Sequence, residues 1–218
     1  MRNKPEDGTE LVALLQRQLI DRLPSTWALQ TTSQPTGSAD ALVEIRAPDG
    51  ATASLAVGAK RTVEPRDIPL LLERLHSVPG TRPLIVTPFL GRRSRELLAA
   101  RDANWADATG NLRIALDRPA VLIDVVGASE NPWPAERPLR SLKGPGAARV
   151  VRALCEFRPP YGVRELAARS GASPASVSRV INLLEREAFV ARSGSRGVIE
   201  RVDWRGLVRR WADDYSLL

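Results

Sequence analysis

Apolar residues recur at helical spacing over residues 9–23, where Leu11, Leu14, Leu15, Leu19 and Leu23 fall on one face and Pro24 stops the run. Three short β-like runs follow at 26–31, 41–46 and 54–60, with Pro48-Asp49-Gly50 as a tight turn between the second and third. A helix is predicted from about residue 67 to 76, with Leu70, Leu71, Leu72 and Leu75 as its buried side. Residues 83–88 read as a fully buried strand, 92–101 as a helix, and 112–116 and 120–125 as closing strands. Between helix and strand, the polar segment 105–111 reads as a turn in which Asp107, Thr109 and Asn111 bond local backbone. The order helix, three strands, helix, strand, helix, strands implies an α/β sandwich with a mixed sheet.

The pattern then changes. Residues 127–138 hold three prolines and no apolar period, which places a linker at 128–145 between a domain at 1–127 and a second at 146–218. Helices are predicted at 147–157, 162–170 and 174–187, with Gly171-Ala172-Ser173 as the turn between the last two. Gly171 can take positive φ, Ser173 is a good N-cap and Pro174 suits the first helical position. Residues 189–202 read as two strands around a Ser193-Gly194-Ser195-Arg196-Gly197 tip, and a last helix starts at Asp203 with Trp204, Leu207, Val208 and Trp211 along one stripe. Such a stripe serves core or dimer packing.

The run from Val163 to Asn182 resembles the helix-turn-helix signature, with Ala167 at the small-residue position, Gly171 at the turn and Leu166, Val177 and Val180 at the buried ones. Together with the strand pair after it, the segment resembles the winged helix-turn-helix of DNA-binding regulators. That resemblance implies double-stranded DNA as partner, with the helix at 174–187 in the major groove and the wing at 190–202 on the backbone or in the minor groove. With Val177, Ile181 and Leu184 packed inward, the expected contact set is Ser173, Ser176, Ser178, Arg179, Asn182 and Arg186 from the helix, and Arg192, Ser195 and Arg196 from the wing. Arg179 can fork onto guanine, and Asn182 onto adenine or phosphate. The competing reading is a winged helix used only for protein interaction.

Charge sharpens this picture. Acidic and basic residues balance over 1–137, so the whole formal charge of +7 falls on 138–218. A charge run can be a solvated face, but an excess confined to one domain favours a polyanionic partner. The arginine bias, with only Lys4, Lys60 and Lys143 as lysine, reads as genome composition rather than function. A content of 43% hydrophobic and 26% charged residues is ordinary for soluble protein. No stretch approaches the ~18 apolar residues of a membrane span, and residues 1–8 lack a signal-peptide run, so a cytoplasmic protein without a membrane partner is expected. The single cysteine, Cys155, allows neither a disulfide framework nor a cysteine metal site and is expected to be buried packing beside Val150, Val151 and Leu154.

Chemistry in the first domain hangs on Asp40, before the second strand, and Gly58-Ala59-Lys60 at the end of the third. Their placement, with the element order, resembles the PD-(D/E)xK restriction-endonuclease-like fold. In active members an acid on the second strand and a (D/E)xK triplet on the third hold a divalent cation. Here Gly58 stands in place of the triplet's carboxylate, and Glu44 or Glu64 could substitute only by an unusual route. The domain is therefore expected to be a degenerate nuclease, with Asp40 and Lys60 as the catalytic pair and Mg2+ as the cofactor only if it is active. The competing structural roles are Asp40 as a cap before the strand and Lys60 with Arg61 as a solvated strand end. The 105–111 segment is a second candidate surface, and His76 is expected to be exposed.

The leading expectation is a sequence-specific DNA-binding transcription regulator that acts as a homodimer. Its first domain would serve dimerisation, sensing or extra DNA contact. One alternative is a metal-dependent endonuclease targeted by the winged helix. Another is an antitoxin-like regulator whose first domain holds a protein partner, similar to abortive-infection type IV antitoxins, although in those the winged helix comes first.

Overall fold

The computed structural model describes residues 4–32, 38–133, 141–194 and 197–215, and the chain divides into two units, Met1–Pro134 and Ala135–Leu218. In the first unit, helix α1 (Gly8–Ile20) starts where the Asp7 carboxylate accepts the Glu10 amide at 2.8 Å. It ends before Leu23, whose amide still reaches the Leu19 carbonyl at 2.8 Å. Strands β1 (Ala28–Thr32), β2 (Ala41–Arg46) and β3 (Thr52–Ala59) form an antiparallel meander. Helix α2 (Ile68–His76), after a short 3-10 turn at Pro65–Asp67, leads to β4 (Thr81–Thr87), and α3 (Arg92–Ala99) leads to β5 (Asn104–Asp107). Strands β6 (Leu112–Leu116) and β7 (Val121–Val125) close the sheet.

All seven strands lie in chain order across one mixed sheet. The β3–β4 and β4–β5 pairs are parallel, as crossover helices require, and the others are antiparallel. Leu11, Leu15 and Leu19 of α1 pack on one face against Val43, Ile45, Leu55, Val57 and Val86. Ile68, Leu72 and Leu75 of α2, with Leu98 of α3, cover the other face over Ala56, Ile85 and Trp105.

Leu70 is 63% exposed, because a helix turning about 100° per residue cannot bury four neighbouring leucines on one face, and Ile68, Leu72 and Leu75 take the sheet side. The 105–111 segment is partly strand: β5 is buried throughout. Its polar ends are consumed inside, with Asn104 donating to the Pro83 carbonyl at 3.2 Å and accepting the Ala115 amide at 2.8 Å.

The second unit holds α4 (Pro145–Glu156), α5 (Val163–Ser170), α6 (Pro174–Arg186), a two-stranded wing of β8 (Val190–Arg192) and β9 (Ile199–Val202), and α7 (Trp204–Asp214). Val150, Val151, Leu154, Leu166, Val177 and Ile181 are among the residues of its core. Cys155, expected in that core, is exposed, since the buried stripe of α4 runs through Val150, Val151 and Leu154 and leaves Cys155 one residue past its edge. Desolvation, with the Glu156 carboxylate adding to it, pushes the thiol above its usual range. The α7 stripe also splits: Leu207 is buried and Trp211 packs on the core, whereas Trp204 and Val208 are exposed.

Both ends of the expected linker are structured. The Gly127 amide donates to Asn111 at 2.9 Å and the Ala128 amide to the Thr109 carbonyl at 3.3 Å. A side chain at Gly127 would sit 2.5 Å from the Thr109 carbonyl oxygen, so glycine is required there. At the far end Leu142 is fully buried in the C-terminal core, and its amide donates to the Asp214 carboxylate. Among the described residues, no helix is long and apolar enough to cross a membrane.

Candidate nucleic-acid interface

Three residues set the direction of α6. Gly171 ends α5 at φ 64°, a left-handed conformation that glycine adopts without strain. The Ser173 hydroxyl then accepts the Ser176 amide at 3.2 Å as N-cap, and Pro174 occupies the first turn. Val177, Val180, Ile181 and Leu184 lock the inner side of the helix into the core.

The outer side carries the expected polar set. Ser173, Arg179 and Asn182 are exposed, while Ser176, Ser178 and Arg186 are half-buried. The Arg179 guanidinium lies 3.5 Å from the Ser176 hydroxyl, on the side of the helix N-terminus, whose partial positive charge favours anions. Arg179, Asn182 and Arg186 follow at intervals of three and four, so they form one stripe along the helix.

The wing departs from expectation. Arg192 was expected to face phosphate, yet its side chain is only 7% exposed. Its guanidinium donates to the Glu185 carboxylate and, at 3.0 Å, to the Asn182 carbonyl oxygen. The cause is local: the wing register shifts between Ala191 and Arg192, a bulge of the kind that re-aims a side chain, and Arg192 turns onto α6. Ser195 and Arg196 lie outside the described residues. Glu185, which sequence reasoning passed over, is the partner that makes this possible. The available signal was an acidic residue three positions after Asn182 on an otherwise basic helix face.

A second network braces the far end of α6. Arg210 on α7 donates to Glu187 at 3.0 Å and to Asp214 at 2.6 Å. Burial raises the Glu187 carboxyl above its usual range despite the facing guanidinium; burial alone would lower Arg210, but the Glu187 and Asp214 carboxylates together outweigh it and hold the guanidinium above its own range.

In the first unit, Lys60 donates to Asp40 at 2.8 Å, and the Ala59 amide donates to the same carboxylate oxygen at 2.8 Å. A Cβ at Gly58 would lie 3.2 Å from a Leu75 methyl, so α2 covers the place where a triplet carboxylate would stand. Glu44 pairs with Arg46 at 2.8 Å and Glu64 with Arg66 at 2.9 Å. Among the described residues, no three acids, histidines or cysteines gather where they could hold a metal ion. His76 is exposed.

The 105–111 segment makes the local backbone bonds expected of a turn and, in place of the alternative second surface, forms a buried knot. Asp107 is fully buried, and its carboxylate accepts the Leu90, Thr109 and Asn111 amides, the Thr109 hydroxyl and the Asn111 side-chain amide. The Asn111 carbonyl oxygen accepts in turn from Arg95 and from the Gly127 amide. Gln18 of α1 donates to the Asp107 carbonyl at 2.8 Å. These groups tie four chain segments together and present no carboxylate to solvent.

Residues 147–194 match the IclR helix-turn-helix domain, so the second unit carries an IclR-type helix-turn-helix DNA-binding domain. The structure of EndoMS in apo form aligns with 18% identity and a TM-score of 0.31, covering 49% of this chain and 48% of that one. The chain thus spans about half the length of that structure. No curated protein matches it.

Proposed function

We propose that this protein is a sequence-specific regulator of transcription that reads the major groove of double-stranded DNA with the outer side of α6, as a homodimer. The observation that carries this reading is the stripe of Arg179, Asn182 and Arg186 on a helix whose inner side is fixed in the core and whose start is capped by Ser173. It lies in the unit that also holds the formal charge of +7. Exposed Trp204, 52% accessible, and Val208 on α7 are the apolar surface offered to a second copy.

The first unit, in this reading, has a restriction-endonuclease-like layout and does not cut DNA. Its α1, β1–β3, α2, β4 order supports the layout. The Asp40–Lys60 pair and the leucine over Gly58 support the lack of cleavage, because one carboxylate already neutralised by an ammonium is a poor seat for a divalent cation.

Selection from a random duplex pool with the full chain is expected to enrich one motif arranged as two half-sites, as a two-fold dimer requires. Supercoiled plasmid incubated with the protein and Mg2+ is expected to stay intact. Enrichment of no motif would contradict the regulator, and nicking abolished by Lys60→Ala would make the first unit an active nuclease.

A further inference from the structure

The first turn of α4 lies against the first turn of α6. A Cβ added at Gly146 would stand 4.0 Å from the Ser176 hydroxyl, which itself meets the Ser173 hydroxyl at 3.0 Å and the Arg179 guanidinium at 3.5 Å. Three residues turn an α-helix by about 300°, so Arg149 projects from α4 beside Gly146, on the flank away from the buried Val150, Val151 and Leu154. Arg149 is exposed, and among the described residues its side chain forms no hydrogen bond or ion pair. Arg152 differs: its guanidinium donates to the Glu156 carboxylate at 2.7 Å and is drawn toward the far end of α4.

Charge singles out the edge where the two helices meet. Residues 144–155 and 172–184 contain no aspartate or glutamate, and the acids of α4 and α6 stand at the other ends of these helices, at Glu156 and Glu185. An arginine with no carboxylate to hold, beside the polar side of a DNA-binding helix, is matched to an anion outside the protein. Duplex DNA supplies one there, because the backbone phosphates border the major groove that a recognition helix enters. We infer that Arg149 is a phosphate-binding residue of the DNA interface, which holds the backbone at the edge of the groove and fixes the register of α6 without reading a base. This rests on the reading of α6 as the recognition helix, and it extends the interface from α6 onto α4.

Band shifts with the full chain measure affinity for the selected duplex and for a scrambled one, for the wild type, Arg149→Ala, Arg149→Lys and Arg152→Ala. Loss of one phosphate contact reduces the slope of log affinity against log salt by about 0.9. Arg149→Ala is therefore expected to weaken binding about tenfold at about 50 mM salt and about threefold at about 200 mM, by the same factor on both duplexes. Its motif, when selection is repeated, is expected to be that of the wild type. Alanine is the best helix former, so this exposed substitution leaves α4 intact. Arg149→Lys keeps a point charge for the phosphate and is expected to keep the wild-type slope. Arg152→Ala removes the same formal charge from the same helix and is expected to stay within about twofold of wild type, which separates a contact from net charge. The inference is overturned by a wild-type slope in Arg149→Ala, by equal losses in Arg149→Ala and Arg152→Ala, or by a motif that changes in Arg149→Ala, which would place Arg149 on a base. If Arg179→Ala alters neither affinity nor motif while Arg149→Ala behaves as expected, the reading face of α6 is what fails and the phosphate contact from α4 stands.

Discussion

Asp107→Asn is expected to destabilise the N-terminal unit by about 3–5 kcal/mol, since each buried donor left unpaired costs about 1–3 kcal/mol and hydrogen bonds to a charged acceptor are the stronger kind. The wild-type carboxylate takes five donors from Leu90, Thr109 and Asn111. A carboxamide keeps the shape and turns one oxygen into an amino group, which meets donors it cannot accept from. The consequence extends beyond the turn. The Leu90 amide belongs to the loop after β4 and Asn111 anchors Gly127, so the ends of the parallel strands lose their common tie. Urea unfolding should show the midpoint of this unit falling steeply. A stability within about 0.5 kcal/mol of wild type, the range of ordinary surface substitutions, would mean that the knot is incidental to the fold.

Arg179→Ala is expected to weaken binding to the selected duplex by about 1–3 kcal/mol, roughly 5- to 150-fold, and to relax the preference at one base position. The side chain is exposed, and its contact within the protein is the long one to the Ser176 hydroxyl at 3.5 Å. Removing it should therefore leave thermal stability nearly unchanged, so the loss can be assigned to DNA. Band shifts beside a thermal melt make the comparison. Unchanged affinity and site preference would move the reading face away from Arg179.

The features legible in the sequence were those fixed by near neighbours. Gly171, Ser173 and Pro174 specify the turn and the start of α6 within four positions, and the spacing of Val177, Ile181 and Leu184 fixes its inner side. The order of elements along the chain followed from the same periodicities, apart from β5. That strand is hidden in the sequence because its ends, Asn104 and Asp107, are polar: Asn104 is satisfied by the distant backbone groups of Pro83 and Ala115, and Asp107 adds the distant Leu90 amide to its local donors from Thr109 and Asn111. Arg192 failed for the same reason. A basic wing residue reads as a phosphate contact until a shift in strand register turns it onto Glu185. Asp40 and Lys60 could be paired from spacing, and they stand 2.8 Å apart, but the leucine over Gly58 comes from α2 and is visible only in three dimensions.

The most direct test of DNA binding through the basic C-terminal unit is the salt dependence of affinity for the selected duplex. Replacing condensed counterions at even two phosphates lowers affinity about tenfold between about 50 and 200 mM salt. The expected result is a linear fall of log affinity with log salt of at least that size. Affinity that holds constant across the range would contradict the account.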